Sequence, residues 1–166
     1  LAGTDDMVQS YSADTKVNPP LRLTSDQEAL IAGLCDGTID AIATDHAPHH
    51  RDEKEVEYNS ALSGISGFET AFALCMDALV HAHHMTMEEF VQVACTNPAK
   101  ILGKNCGKLE VGRDADFIIA DIAEEWTVDR KEFVSKGKNT PFDGRTVHGR
   151  VLETYVGGKR IYKYED

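Results

Sequence analysis

"TIDAIATDHAPHH", residues 38–50, is the stretch on which the fold turns. It follows Asp36-Gly37, a turn signal, and its β-branched and apolar residues at 38–44 predict a short strand. That strand opens into a loop at Asp45, with His46, His49 and His50 close behind. A carboxylate there suits catalysis, because the strand holds its backbone while the loop admits a substrate. In a (β/α)8 barrel the active site is built at the C-terminal ends of the strands, so a strand ending in Thr-Asp and feeding a long loop and then a helix fits that architecture. Position alone favours the plainer roles: an aspartate that caps a turn, and loop histidines that face water. The H-x-x-H-H spacing is not the HExxH pattern of a helical zinc site, so most ligands of any metal must come from elsewhere.

The flanking sequence extends this α/β reading. Residues 1–24 read as loop, with "NPP" at 18–20 excluding helix at that point. Ser25 with Glu28 forms a capping-box pattern ahead of Ala29, Leu30, Ala32 and Leu34, a helix that Asp36-Gly37 ends. The charged run "RDEKEVE" at 51–57 predicts a solvated, mobile loop. Ser66 with Glu69 predicts a second capped helix with Phe68, Phe72, Cys75, Met76 and Leu79 along one face. Thr86 with Glu89 predicts a third, and Asn97-Pro98 a one-turn helix ended by Gly103. Beyond Cys106 the texture changes to strand candidates, "ADFIIADI", "GRVLETYV" and "KRIYKY", the last two joined by the hairpin signal Gly157-Gly158. The chain therefore divides into an α/β part, 1–105, and a β-rich part, 106–166.

Composition narrows the function. Seventeen Lys and Arg against 28 Asp and Glu give a formal charge of -11, a field that repels nucleic acid and anionic membrane. A small anionic substrate fits only where local cations receive it. Cys35, Cys75, Cys95 and Cys106 form no CxxC pair, and three lie in apolar segments, which predicts buried free thiols and a cytoplasmic protein. No apolar run approaches the roughly 20 residues that span a bilayer. "HAHH" at 81–84 reads as a helix end, "GISGFE" at 64–69 lacks dinucleotide-binding spacing, and Ser60, Ser63 and Ser66 lack a nucleophile-elbow pattern.

Four longer strings, "KVNPPLR" (16–22), "GLCDGTIDAIATDHAPH" (33–49), "GISGFETAF" (64–72) and "SKGKNTPF" (135–142), together resemble the C-terminal segments of type I dihydroorotases, of the amidohydrolase superfamily. "NPPLR", "TDHAPH" and "KGKNTPF" in combination separate the chain from the related hydantoinases and allantoinases. The resemblance implies the C-terminal part of a (β/α)8 TIM-type amidohydrolase barrel followed by part of a small β domain. It implies a zinc hydrolase that reversibly cyclises N-carbamoyl-L-aspartate to L-dihydroorotate in pyrimidine biosynthesis. On that template Asp45 is both metal ligand and proton shuttle, Asn18 contacts the substrate ring, His49 receives the substrate, and Ser63 and Gly64 meet it through the main chain. Phenylalanine is usual just before that glycine, and this chain has Ser63. Arg22 and His46 belong to the motifs without an assigned role.

Other parts of the family pattern, an early HxH pair and later-strand histidines, are not among these residues. A full barrel takes about 250 residues, and Asp45 alone supplies one of the three protein ligands that catalytic zinc usually takes. The expectation is a chain inactive and without catalytic zinc by itself, which forms a homo-oligomer or joins the missing N-terminal part. The family also suggests an aspartate transcarbamoylase partner. The competing readings are a non-catalytic scaffold module and another cyclic-amide hydrolase.

Overall fold

The computed structural model describes residues 1–165. Helix α1, Thr24–Asp36, ends at Gly37 as the turn signal requires, but its cap is Leu23, two residues before the Ser25 that the spacing with Glu28 suggests. Asp26 does the capping, its carboxylate accepting the Leu23 N–H at 3.1 Å. The segment 1–24 is more structured than its composition implies, with short 3-10 helices at Asp5–Ser10 and Ala13–Thr15 ahead of the cis Asn18–Pro19 bond.

Residues 38–44 do not pair in a ladder among the described residues, contrary to the strand expected there. A parallel barrel strand takes its hydrogen bonds from neighbours on either side. This segment finds two partial substitutes: Ile42 N–H donates to the Val93 carbonyl at 3.0 Å, and Asn97 Nδ2 donates to the Asp40 carbonyl at 2.7 Å. At its end His46 makes one parallel bridge with Ile65.

The charged run 51–57 also departs from expectation, since it contains a helical turn, α2 (Arg51–Lys54), whose last residue is buried. Helix α3, Ala71–Cys75, widens into a π-helical stretch over Met76–His81. Helix α4, Met87–Val91, widens likewise over Gln92–Thr96 and runs into α5, Asn97–Ile101. The Thr86–Glu89 capping box is formed as the spacing predicts: Thr86 N–H donates to Glu89 Oε2 at 2.8 Å, and Glu89 N–H to Thr86 Oγ1 at 3.3 Å. The Ser66–Glu69 pair is not a cap. Thr70 precedes α3, and both side chains reach instead to residues beyond 134.

Three antiparallel strands, β1 (Phe117–Thr127), β2 (Thr146–Val156) and β3 (Lys159–Lys163), form one sheet in the order β1-β2-β3. Gly157 and Gly158 take φ of 55° and 74°, the left-handed pair that a two-residue hairpin needs. Bulges at Ile119/Ala120 and between Asp121 and Glu125 break the β1-β2 register.

Two apolar clusters hold these elements. One gathers Leu34, Met76, Leu79, Met85, Phe90 and Val93, with Ile39 and Ile42 packed on it, so 38–44 is fixed by side chains rather than by a ladder. The other joins Ala73 and Leu74 of α3 to Val128, Phe133, Phe142 and Val147 around the sheet. Helix α3 and its extension therefore face both clusters. The four cysteines are free, as expected, but Cys35, Cys95 and Cys106 are exposed and only Cys75 is half-buried. Apolar sequence neighbours did not bury Cys35 and Cys95, because on a helix those neighbours face other directions.

Met76 and Leu79 are wholly buried. Truncating either to alanine is expected to destabilise the chain by about 2–5 kcal/mol in urea unfolding, whereas Val134→Ala, at a site 90% exposed, should be near neutral.

Candidate active site

Asp45 sits where the extended segment turns, with φ of 47°. A non-glycine residue rarely takes that left-handed conformation, and aspartate tolerates it better than most. The residue is exposed, and its carboxylate has no hydrogen-bond or ion-pair partner among the described residues. The residues immediately after it are tied down. Ala47 N–H donates to the Ile65 carbonyl at 2.9 Å. The His46 ring accepts the Gly67 and Phe68 N–H groups at Nδ1, at 3.1 and 3.2 Å, and stacks on Phe68 with centroids 3.8 Å apart and planes 7° apart.

His49, Ser63 and Gly64 meet directly. His49 Nε2 lies 2.9 Å from the Ser63 carbonyl oxygen; because that oxygen can only accept, Nε2 carries the proton. Gly64 has φ of 150°, and a Cβ there would come within 2.7 Å of Ala47 Cβ and 2.8 Å of His49 Nε2. The position is closed to any larger residue. Ser63 takes part through its main chain, so the change from phenylalanine leaves this contact in place. Asn18 lies two residues beyond Lys16, whose carbonyl accepts the Gly64 N–H at 2.9 Å. Its side chain is exposed near this junction without a hydrogen bond to Asp45 or His49 among the described residues.

The junction is held from behind by Asn139. Its Nδ2 donates to the carbonyls of Gly64 at 2.9 Å and Ala47 at 3.1 Å, while its Oδ1 accepts the His49 N–H at 2.9 Å. Its own carbonyl accepts the Ser66 N–H at 2.8 Å, and the Ser66 hydroxyl donates to the Gly137 carbonyl at 2.7 Å. One buried amide thus fastens the loop after Asp45 to the loop before α3. Glu69 completes the tie: Oε1 accepts the Ser135 N–H at 2.7 Å. Burial pushes the Glu69 carboxyl up, but the hydrogen bonds from Ser135 outweigh it and hold the group below its ordinary range.

Lys54 is buried and donates to the carbonyls of Leu62 at 2.9 Å and Gly64 at 3.2 Å. Burial pulls its pKa below the usual lysine value, against the opposing pull of Asp14. A cleft of about 840 Å³ opens on the outer side of the same loop, lined among others by His49, His50, Lys54, Arg130, Lys136 and Lys138. It places cations together in an otherwise acidic chain, though neither Asp45 nor Asn18 lines it.

The model of the amidohydrolase family matches residues 6–161. The chain belongs to the amidohydrolase family. It is 51% identical over 160 residues to the dihydroorotase of Acetivibrio thermocellus, covering 96% of this chain and 38% of that protein. The dihydroorotase of Ruminiclostridium cellulolyticum is 48% identical over 160 residues, 96% of this chain and 37% of its own. The amidohydrolase chain thus spans somewhat over a third of the length of these relatives. Among solved structures, the L-hydantoinase of Arthrobacter aurescens superposes with a TM-score of 0.91 at 33% identity, covering 98% of this chain and 37% of that one. The D-hydantoinase of a Thermus species gives 0.82 at 27% identity, covering 91% and 34%. The architecture is a partial amidohydrolase barrel with its attached β-strands.

An amidohydrolase calls for a metal. Among the described residues no group of three or more His, Cys, Asp or Glu is placed to hold one. The donors of this chain by itself do not complete a metal centre, because Asp45 belongs to no such group of three among the described residues.

The sequence pattern pointed to Asn18, Asp45, His49, Ser63 and Gly64, and the last three lie in contact. It gave no role to Asn139 or Lys54. The string "KGKNTPF" was the available signal for Asn139, but nothing local says that its amide reaches back to residues 47 and 64.

Replacing Asn139 by alanine strands the His49 N–H and the Ala47 carbonyl and leaves the Gly64 carbonyl to Lys54 alone, and should cost about 2–5 kcal/mol, with faster amide exchange at His49 as the specific readout. For Glu69, a folded-state pKa held below the unfolded value means stability that is present at neutral pH and lost as pH falls through and below the ordinary value of 4.5. Glu69→Gln should therefore flatten the acid limb of the stability profile from about pH 5 downward.

Proposed function

We propose that the chain is the part of a dihydroorotase that carries the proton-shuttling carboxylate and one wall of the substrate site. The observation that carries the reading is the Asn139-centred junction. "TDHAPH", "GISGFETAF" and "KGKNTPF", scattered over nearly a hundred residues, meet there, and the Lys16 carbonyl brings the "NPPLR" segment to the same place. Identity near 50% to dihydroorotases, against 33% to the L-hydantoinase, supports the cyclic amide of dihydroorotate over that of a hydantoin.

On this reading, ring opening forms a C–O bond from water to the ring carbonyl carbon and breaks its C–N bond. Asp45 takes a proton from the attacking water and delivers it to the departing nitrogen, acting as base and then as acid. Its exposure and lack of partners leave the carboxylate free to do both. His49, with its Nε2 proton committed to the Ser63 carbonyl, shapes the loop that receives substrate. Asn18 contacts the ring beside the Ser63–Gly64 main chain, which is held in place by Lys16, Asn139 and Lys54. In the reverse direction cyclisation consumes a proton, so lower pH favours the ring.

Zinc is the metal this reading assigns to the complete enzyme, where Asp45 would supply one carboxylate. The 166-residue chain, with one such donor, is expected to be inactive alone. Exposed Leu109, Val111 and Ile161 support association of the β part, 106–166, with further segments or a second copy.

The test is a chimera in which this chain replaces the aligned 160 residues of the Acetivibrio thermocellus enzyme. It should open dihydroorotate, and Asp45→Asn should lower kcat by about 10²–10⁴. A chimera that opens hydantoin but not dihydroorotate, or an Asp45→Asn form at full speed, overturns the proposal.

A further inference from the structure

Asp45 raises a question its own side chain does not answer: what keeps an exposed, unpartnered residue in a left-handed conformation? Left-handed backbone at a non-glycine residue persists only where the surroundings impose it. The residue that follows it is gripped at a single nitrogen. Backbone N–H groups can only donate, so the two that point at His46 Nδ1, from Gly67 at 3.1 Å and Phe68 at 3.2 Å, require a bare lone pair there. The ring proton then sits on Nε2.

The post that His46 grips is rigid. Ser66, immediately before it, is fully buried and bonded to Gly137 and Asn139. The Gly67 carbonyl accepts the N–H groups of Thr70 at 3.2 Å and Ala71 at 2.8 Å, which welds the post to the start of α3. Phe68 is 69% exposed and absent from both apolar clusters, yet it lies flat on the imidazole. Its placement is explained by the ring it covers. With the bridge to Ile65 and the Ala47 N–H bond, the chain just past Asp45 is anchored by its backbone and by one side chain.

We propose that His46 is a positioning residue, whose acceptance of the Gly67 and Phe68 N–H groups at Nδ1 holds Asp45 left-handed and sets the direction of its carboxylate. This rests on the reading of Asp45 as the proton shuttle. Chemistry distinguishes it from a merely space-filling role. Asparagine places Oδ1 the same number of bonds from Cα as Nδ1, so His46→Asn can keep the acceptor. In glutamine the amide lies one bond further out, and alanine has none.

Two measurements test it. In the 166-residue chain, amide exchange at Gly67 and Phe68 and the Asp45 HN–Hα coupling, which reports φ, are followed by NMR for wild type, His46→Asn, His46→Gln and His46→Ala. Protection and the left-handed coupling should persist in wild type and His46→Asn and be lost in His46→Gln and His46→Ala. In the chimera described above, His46→Gln should lower kcat about a hundredfold with KM little changed, and His46→Asn should restore most of it. Unprotected Gly67 and Phe68 amides in wild type, an unchanged Asp45 coupling in His46→Gln, or an asparagine variant as slow as alanine each overturns the inference. A parent chimera without dihydroorotate turnover strikes the dihydroorotase reading instead, while the NMR comparison still decides whether His46 holds Asp45.

Discussion

One buried amide constrains the site more than any other group. Asn139 spends both N–H donors and its carbonyl oxygen on three backbone groups that have no ladder to satisfy them. Loops that leave a barrel strand carry unpaired backbone polar groups, and burying those without partners would be costly. A side chain with two donors and an acceptor in fixed geometry solves this for two loops at once. The cost of its loss would spread to every residue it touches, because Ala47, His49 and Gly64 share the same neighbour.

A division of labour follows. The helical side, through Met76 and Leu79, supplies burial and holds α3 against both apolar clusters. The segment from Ser66 to Glu69 then acts as a fixed post, tied to residues 135–139 on one side and to α3 on the other. Against this post the chain after Asp45 is clamped, and Asp45 is the last residue before the clamp with its side chain free. Rigidity behind and freedom in front is the arrangement the proposed proton shuttle at Asp45 would need: the backbone must not drift, while the oxygens must exchange protons with two different atoms.

Charge is arranged on the same plan. The chain carries a formal -11, which would repel an anionic ligand, yet Lys54, Lys136 and Lys138 line one cleft beside His49, where Arg130 is paired with Asp14 and Asp143. Lys54 is held there by carbonyl oxygens rather than by a carboxylate, so its charge is not cancelled at close range. The acidic surface and the local cations are therefore compatible, with the latter confined to the loop side.

Much of the local structure was legible in the residues. Hairpin chemistry at Gly157-Gly158, the Thr86–Glu89 cap and the stop at Gly37 depend on groups a few positions apart, and each formed where its spacing indicated. The strings around Asp45, Gly64 and Asn139 identified the family. Local pattern failed where a group's partner lies far along the chain. Residues 38–44 have the composition of a strand, but a strand exists only by pairing. Ser66 and Glu69 have the spacing of a cap, yet their hydrogen bonds go to Gly137 and Ser135. Lys54 looked solvated because burial of an ammonium depends on carbonyls that the loop supplies only once folded. What the sequence determined was which chemical groups are present and which short-range turns and caps they build; the tertiary structure alone decided which backbone atoms Asn139 and His46 would hold, because hydrogen bonds select by distance and direction, and neither exists until the chain returns on itself.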